Sequence, residues 1–180
     1  MAKRARNAAW ILAVLAAVAP ATAAHAGQDD PLTRRVRTTD ARIAALIEQA
    51  GRESATFRRM LETINGSDTY VFISDGRCRH DQAACFVAVR CAGVNRMMFV
   101  TVDMSRRSAD WDVMGSIGHE LRHTIEAISD PTVKSNADQY FLYERIGFHS
   151  RAGAFETQDA IDAGNIVRDD VRRFRKENRR

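Results

Sequence analysis

The hydrophobic period of this chain changes twice, and that change bounds the fold more tightly than any other feature. Residues 40–50 (DARIAALIEQA) place Ile43, Ala44, Leu46, Ile47 and Ala50 at helical spacing, and Gly51 punctuates the run. Ser54 reads as the N-cap of a second helix whose apolar face is Phe57, Met60, Leu61 and Ile64, stopped by Asn65-Gly66. The period then drops to two. Residues 69–74 (TYVFIS), 85–91 (CFVAVRC) and 97–104 (MMFVTVDM) are β-branched and aromatic, divided by turn signals at Asp75-Gly76 and Gly93. Helical spacing returns over residues 109–129, capped by Ser108 or Asp110 and ended by Asp130-Pro131. It continues over residues 136–146, closed by Gly147, and over 154–176, with Phe155, Ile161, Ile166, Val167, Val171 and Phe174 as apolar positions. Segregated elements in this order predict an α+β domain. Short connections predict an antiparallel three-stranded meander packed on helices.

The chain has 180 residues, enough for one domain with a real core. Residues 1–26 read as a signal peptide. Lys3, Arg4 and Arg6 precede an apolar run over residues 8–19, and Ala24 and Ala26 give the small-x-small pattern of a cleavage site near Ala26. The run is too short for a permanent span. The expected destination is the periplasm or the exterior, with no membrane association after cleavage. Residues 27–38 are polar and aperiodic and read as a flexible lead-in, leaving 39–180 as the domain.

The signal peptide carries most of the charge. Of the formal +4, Lys3, Arg4 and Arg6 supply three, so the remaining chain is at +1. The C-terminal cations, Arg172, Arg173, Arg175, Lys176, Arg179 and Arg180, suit a solvated helix end. No aromatic residues interleave them for stacking on bases, so nucleic acid is not an expected partner. Cys78, Cys85 and Cys91 fall within a strand–turn–strand stretch; Cys78 can pair with either of the others, and an exported chain permits it.

Residues 117–130 read IGHELRHTIEAISD. His119 and His123 stand four apart, about 40° from each other around a helix, so both imidazoles can reach one ion. Glu120 sits one position along, placed to act on a water rather than to ligate. Buried histidines and a glutamate on an otherwise apolar helix are costly without partners.

These residues resemble the H-E-x-x-H helix of the zincin metallopeptidases, and the chain is also similar to small secreted bacterial proteins that carry the same helix. The resemblance covers roughly residues 40–176 in element order, with only the five residues HELRH forming a sharp motif. It implies a minimal zincin-like domain, Zn2+ as cofactor, Glu120 as general base, and a peptide or protein substrate paired along an edge strand, here residues 97–104. Arg122 departs from the pattern, since zincins usually keep uncharged residues between the Glu and the second His. Glu126, four residues on, is its natural partner.

Such a site needs a third protein ligand. No metzincin pattern follows the motif, so the resemblance points to a gluzincin-like Glu on a later helix. Glu156, at the start of the last expected helix, is the first choice as metal ligand with His119 and His123. Glu126 is second, because it would have to fold back toward the ion. Asp130 and Glu144 are outsiders. Tyr140, Tyr143 and His149 are weaker candidates for oxyanion stabilisation, and His80 reads as a solvent-exposed loop residue. The expectation is zinc-dependent peptide-bond hydrolysis. The alternative is a non-catalytic periplasmic binding or scaffold protein whose HELRH helix binds zinc or only packs. Substrate, activity and oligomeric state stay open.

Overall fold

The computed structural model describes residues 35–79, 82–150 and 154–178. Residues 1–26, read above as a signal peptide, His80, Arg179 and Arg180 lie outside them. The described residues form a mixed α+β domain: β1 (Val36–Arg37), α1 (Ala41–Glu53), α2 (Ala55–Asn65), β2 (Thr69–Asp75), β3 (Ala84–Ala92), β4 (Asn95–Val102), α3 (Asp110–Ser129), α4 (Asn136–Ile146), β5 (Phe148–His149), β6 (Phe155–Glu156) and α5 (Gln158–Glu177). None of the described helices is long and apolar enough to cross a membrane.

The sheet is not the expected antiparallel meander. Four strands run in the order β1-β2-β4-β3, with β1–β2 and β2–β4 parallel and only β3–β4 antiparallel. Loop length explains the difference. A two-residue turn at Gly93-Val94, with Gly93 at φ 61°, forces β3 and β4 to be neighbours. The longer segment after β2 lets the chain skip one position, and β4 then fills the gap beside β2. Residues 97–104 are therefore not an edge strand: β4 is paired on both sides, and β1 and β3 are the edges, β3 being the one beside β4. Nor is residue 27–38 wholly a lead-in, because Val36 is buried in the core and pairs with Val71. β5 and β6 form a separate two-stranded ladder.

The inner face of the sheet carries Val71, Ile73, Met98, Val100 and Val102, all buried. Val71, Ile73, Val100 and Val102 pack with Ile43, Ile47, Phe57, Leu61 and Ile64 of α1 and α2 and with Met114, Ile117 and Leu121 of α3. Asp40 caps α1 through the amides of Arg42 and Ile43 and Ser54 caps α2, but α1 runs through Gly51 to Glu53. Helix α3 starts at Asp110 behind Ala109, which offers no side-chain cap, so neither Ser108 nor Asp110 serves as one; Asp110 and Asp112 complement its dipole instead.

Helix α3 crosses α5 at very short range. A Cβ on Gly164 would sit 3.0 Å from the Gly115 carbonyl oxygen and 3.1 Å from His119 Cβ. Small residues are therefore required, and the buried stripe of α5 is Ala160, Ala163, Gly164, Val167 and Val171. Ile166 and Phe174, expected to be inward, are exposed. At its far end α3 is tied to the sheet by buried Arg96. Its guanidinium bonds Asp68 and donates to the carbonyls of Ala127, Ile128 and Asp130, three of the acceptors that a helix end leaves unpaired. Cys78 pairs with Cys85, which ties the loop after β2 to the start of β3, and Cys91 is an exposed free thiol.

Candidate metal centre

Three elements meet at the middle of α3. The helix itself presents His119 and His123, with ring centroids 4.8 Å apart. Glu156 enters from β6, not from the first turn of the last helix as its sequence position suggested. Thr157 outcompetes the residues before it as N-cap, accepting from the Ala160 amide, so residues 154–156 are left extended and Phe155 and Glu156 pair with β5. Gly147 permits this approach, since a Cβ there would lie 2.7 Å from the Glu156 carbonyl oxygen. Phe155 is held by the rings of His149, Tyr140 and Tyr143.

One donor atom from each of His119, His123 and Glu156 lies within 4.8 Å of the others, so the group could hold a metal ion. Glu156 Oε2 is 2.9 Å from His119 Nε2 and 3.7 Å from His123 Nε2. Despite those distances, Oε2 is buried without a hydrogen bond of acceptable geometry. A buried carboxylate oxygen left in this state is what a cation would satisfy, and two imidazole nitrogens with one carboxylate oxygen is a donor set suited to a divalent transition ion.

The remaining groups orient these three. Glu126 is not in the donor set. Its Oε2 lies 2.9 Å from His123 Nδ1, and its Oε1 accepts from the Thr157 hydroxyl at 2.7 Å. With Nδ1 engaged by Glu126, Nε2 is the ring nitrogen of His123 that faces Glu156. Arg122 pairs with Asp159 and approaches Glu126 at 3.7 Å, so its charge is neutralised on the side away from the donor atoms. Tyr143 is buried with its ring edge-on to His123, and its hydroxyl donates to the His123 carbonyl at 2.9 Å. That hydroxyl is committed to the helix backbone, so Tyr143 buttresses α3 and is not free to stabilise an oxyanion. Tyr140, Glu144 and His149 form a separate exposed cluster, and Asp130 is spent on Thr132 and Arg145 at the end of α3.

Burial and charge set the protonation of the cluster. Burial pushes the Glu156 carboxyl up, but the facing His119 and His123 rings more than offset it and hold it at about 2. Burial works against a charged His123, yet its contacts with Glu126 and Glu156 and the charge of Glu120 raise it to about 9. Glu120 is pushed above the ordinary carboxyl range by burial, against the pull of His123 and His119 and of the Phe86 amide, which donates to it from β3.

Two hollows open onto the cluster. One, about 230 Å³, runs between β3 and α5 past Gly115, Gly164 and Arg168. The other, about 140 Å³, is walled by Cys85, Phe86, Tyr143 and Phe155. His119, Glu120 and Glu156 line both. The sequence named Gly147 only as a helix stop and Phe155 only as an apolar helix position, and it missed Thr157 and Arg168; Thr157 left a signal, as a hydroxyl residue three before a small helix former. Comparisons with protein-family models, with curated proteins and with solved structures give no match.

Proposed function

We propose that this protein is a small exported zinc-dependent peptide hydrolase, gluzincin-like in its ligand set and built on a minimal zincin-like domain. The observation that carries the reading is the convergence of His119, His123 and the hydrogen-bond-orphaned Glu156 Oε2, with Glu120 buried beside them but outside the donor set. His119, His123 and Glu156 would hold the ion. When bound, zinc supplies Lewis acidity toward a water and a carbonyl oxygen.

The chain's own residues supply the rest. Glu120 takes the proton of the attacking water as its oxygen adds to the carbonyl carbon, and delivers that proton to the amine as the C–N bond breaks. Burial makes this carboxyl more basic than an exposed one, the direction a general base needs. Since β4 has no free edge, the substrate lies against the start of β3, where Ala84, Cys85 and Phe86 line the hollows. The signal-peptide pattern of residues 1–26 supports export. A scaffold role has one observation in its favour: the ion pairs of His119 with Glu156 and of His123 with Glu126 already satisfy much of the cluster.

Glu120→Gln separates the two. Zinc-loaded Glu120→Gln is expected to retain one equivalent of zinc and to lose about 10³-fold in peptide-hydrolysis rate, the scale of a general base. Equal rates of peptide cleavage in wild type and variant would contradict the catalytic reading, as would a wild type that cleaves no member of a random peptide pool.

A further inference from the structure

The two hollows beside the candidate metal centre differ in chemistry. The smaller is faced by the rings of Phe86, Tyr143 and Phe155. The larger has a floor of bare backbone, because Gly115 and Gly164 meet there, and among the described residues its only charged side chain outside the donor and base set is Arg168. Arg168 follows Gly164 by one turn of α5, and Gly115 precedes His119 by one turn of α3. The guanidinium therefore sits about one helical turn, roughly 5–6 Å along the axis, from His119.

The arginine is held, not loose. A Cβ on Gly115 would come within 3.2 Å of Arg168 Cβ and 3.4 Å of Cζ, so the side chain lies across the glycine backbone. Nε is 3.0 Å from Asp112 Oδ1, and Nη1 donates to Asn165 Oδ1 at 2.8 Å. That fixes the plane of the fork and leaves Nη2 without a partner among the described residues. Among the described residues, the neighbouring hollow, which shares Gln82 with this one, is lined by Arg77, Arg106 and Arg107 against one acid, Asp103. That neighbouring wall carries an excess of positive charge.

We propose that the Gly115–Gly164 hollow is a carboxylate-recognition subsite and that Arg168 is its specificity-determining residue. The substrate class is then a peptide carrying a carboxylate next to the bond to be cut, from an acidic side chain or from the chain's own C-terminus. Arginine suits this better than lysine, since with Nε on Asp112 and Nη1 on Asn165 the planar group is fixed and Nη2 is aimed as a charged donor to one oxygen of an incoming carboxylate. The small volume and glycine floor admit one short residue. The aromatic walls of the second hollow receive the apolar residue on the other side of the bond. This inference rests on the peptide-hydrolase reading.

Binding of fluorescent random peptide pools to zinc-loaded Glu120→Gln tests it without relying on turnover. One pool carries a central glutamate with an amidated end, one a central glutamine with an amidated end, one a central glutamine with a free C-terminal carboxylate, and one a central lysine with an amidated end. The glutamate pool, the free-carboxylate pool or both bind about tenfold tighter than the amidated glutamine pool, and which of them does so identifies the source of the carboxylate. Adding Arg168→Gln collapses that ratio to about twofold or less. Adding Arg168→Glu turns the preference to the lysine pool, a gain that misfolding cannot produce. Equal binding of all pools, or a carboxylate preference that survives Arg168→Gln, overturns the subsite alone. Binding of no pool overturns the peptide reading and the subsite with it.

Discussion

Helix α3 carries two buried charge clusters, and they are finished to different degrees. At its C-terminal end, Arg96 spends every nitrogen: Nε and Nη2 on Asp68, Nη1 and Nη2 on three backbone carbonyls. In its middle, His119, His123, Glu120, Glu126 and Glu156 crowd together, and Glu156 Oε2 still lacks a hydrogen bond. The first cluster is completed by the protein alone. The second is braced behind His123 by Glu126 and Thr157, and its inner carboxylate oxygen is left open. Completeness of the polar network separates a structural tie from a site, since burying charge is tolerated in the first only because nothing is left over.

If the two clusters are independent, each breaks without the other. Arg96→Met leaves the carbonyls of Ala127, Ile128 and Asp130 unsatisfied and is expected to cost about 3 kcal/mol in urea-denaturation stability, with zinc stoichiometry unchanged. Loss of zinc binding in that variant, at a temperature where it is folded, would show that the tie and the site are one unit. In the other direction, Glu126→Ala removes the acceptor at His123 Nδ1 and is expected to weaken zinc binding by about ten- to a hundredfold in a chelator competition. Unchanged affinity would reduce Glu126 to an ordinary partner of Arg122.

The gentlest test needs no mutation. The Asp68 carboxyl is penalised by burial, but its hydrogen bonds to Arg96 outweigh that and lower it below 3.8, so the tie's contribution is present above that value and is lost as pH falls further. His123 is raised from 6.5 to about 9, so in the zinc-free protein its contribution is full below 6.5 and is lost as pH rises through 9. Thermal denaturation of zinc-free protein should thus weaken on both sides of a plateau, and zinc should remove the alkaline limb, because His123 Nε2 then holds no proton. An alkaline limb of equal depth with zinc bound would mean that His123 is not a ligand.

What could be read from the sequence followed the range of the interaction. The N-cap at Ser54, the helix through HELRH and the strand runs depend on neighbours a few residues apart and lie where the pattern put them, whereas the cap expected at Ser108 or Asp110 is absent and Asp40, read as the start of its helix, caps it instead. The order of strands was not legible, because it depends on whether a connection is tight or long enough to skip a place. Arg96 was silent for the same reason: its partners are 28 to 34 residues away. Glu156 was singled out on the assumption that it opened a helix. The structure puts it in β6, and it reaches the histidines through Thr157 ending the strand and Gly147 letting the backbone close. Arg168 carried no signal in the sequence, and only the glycine crossing of α3 and α5 brings it into the hollow beside the cluster.

The most direct measurement is the zinc content and affinity of residues 27–180, wild type beside Glu156→Ala and His123→Ala. The account predicts one zinc per chain in the wild type and none in either variant at the same free-zinc concentration, both variants being folded by circular dichroism. Full zinc retention in Glu156→Ala, or no zinc in a reconstituted wild type, would contradict it.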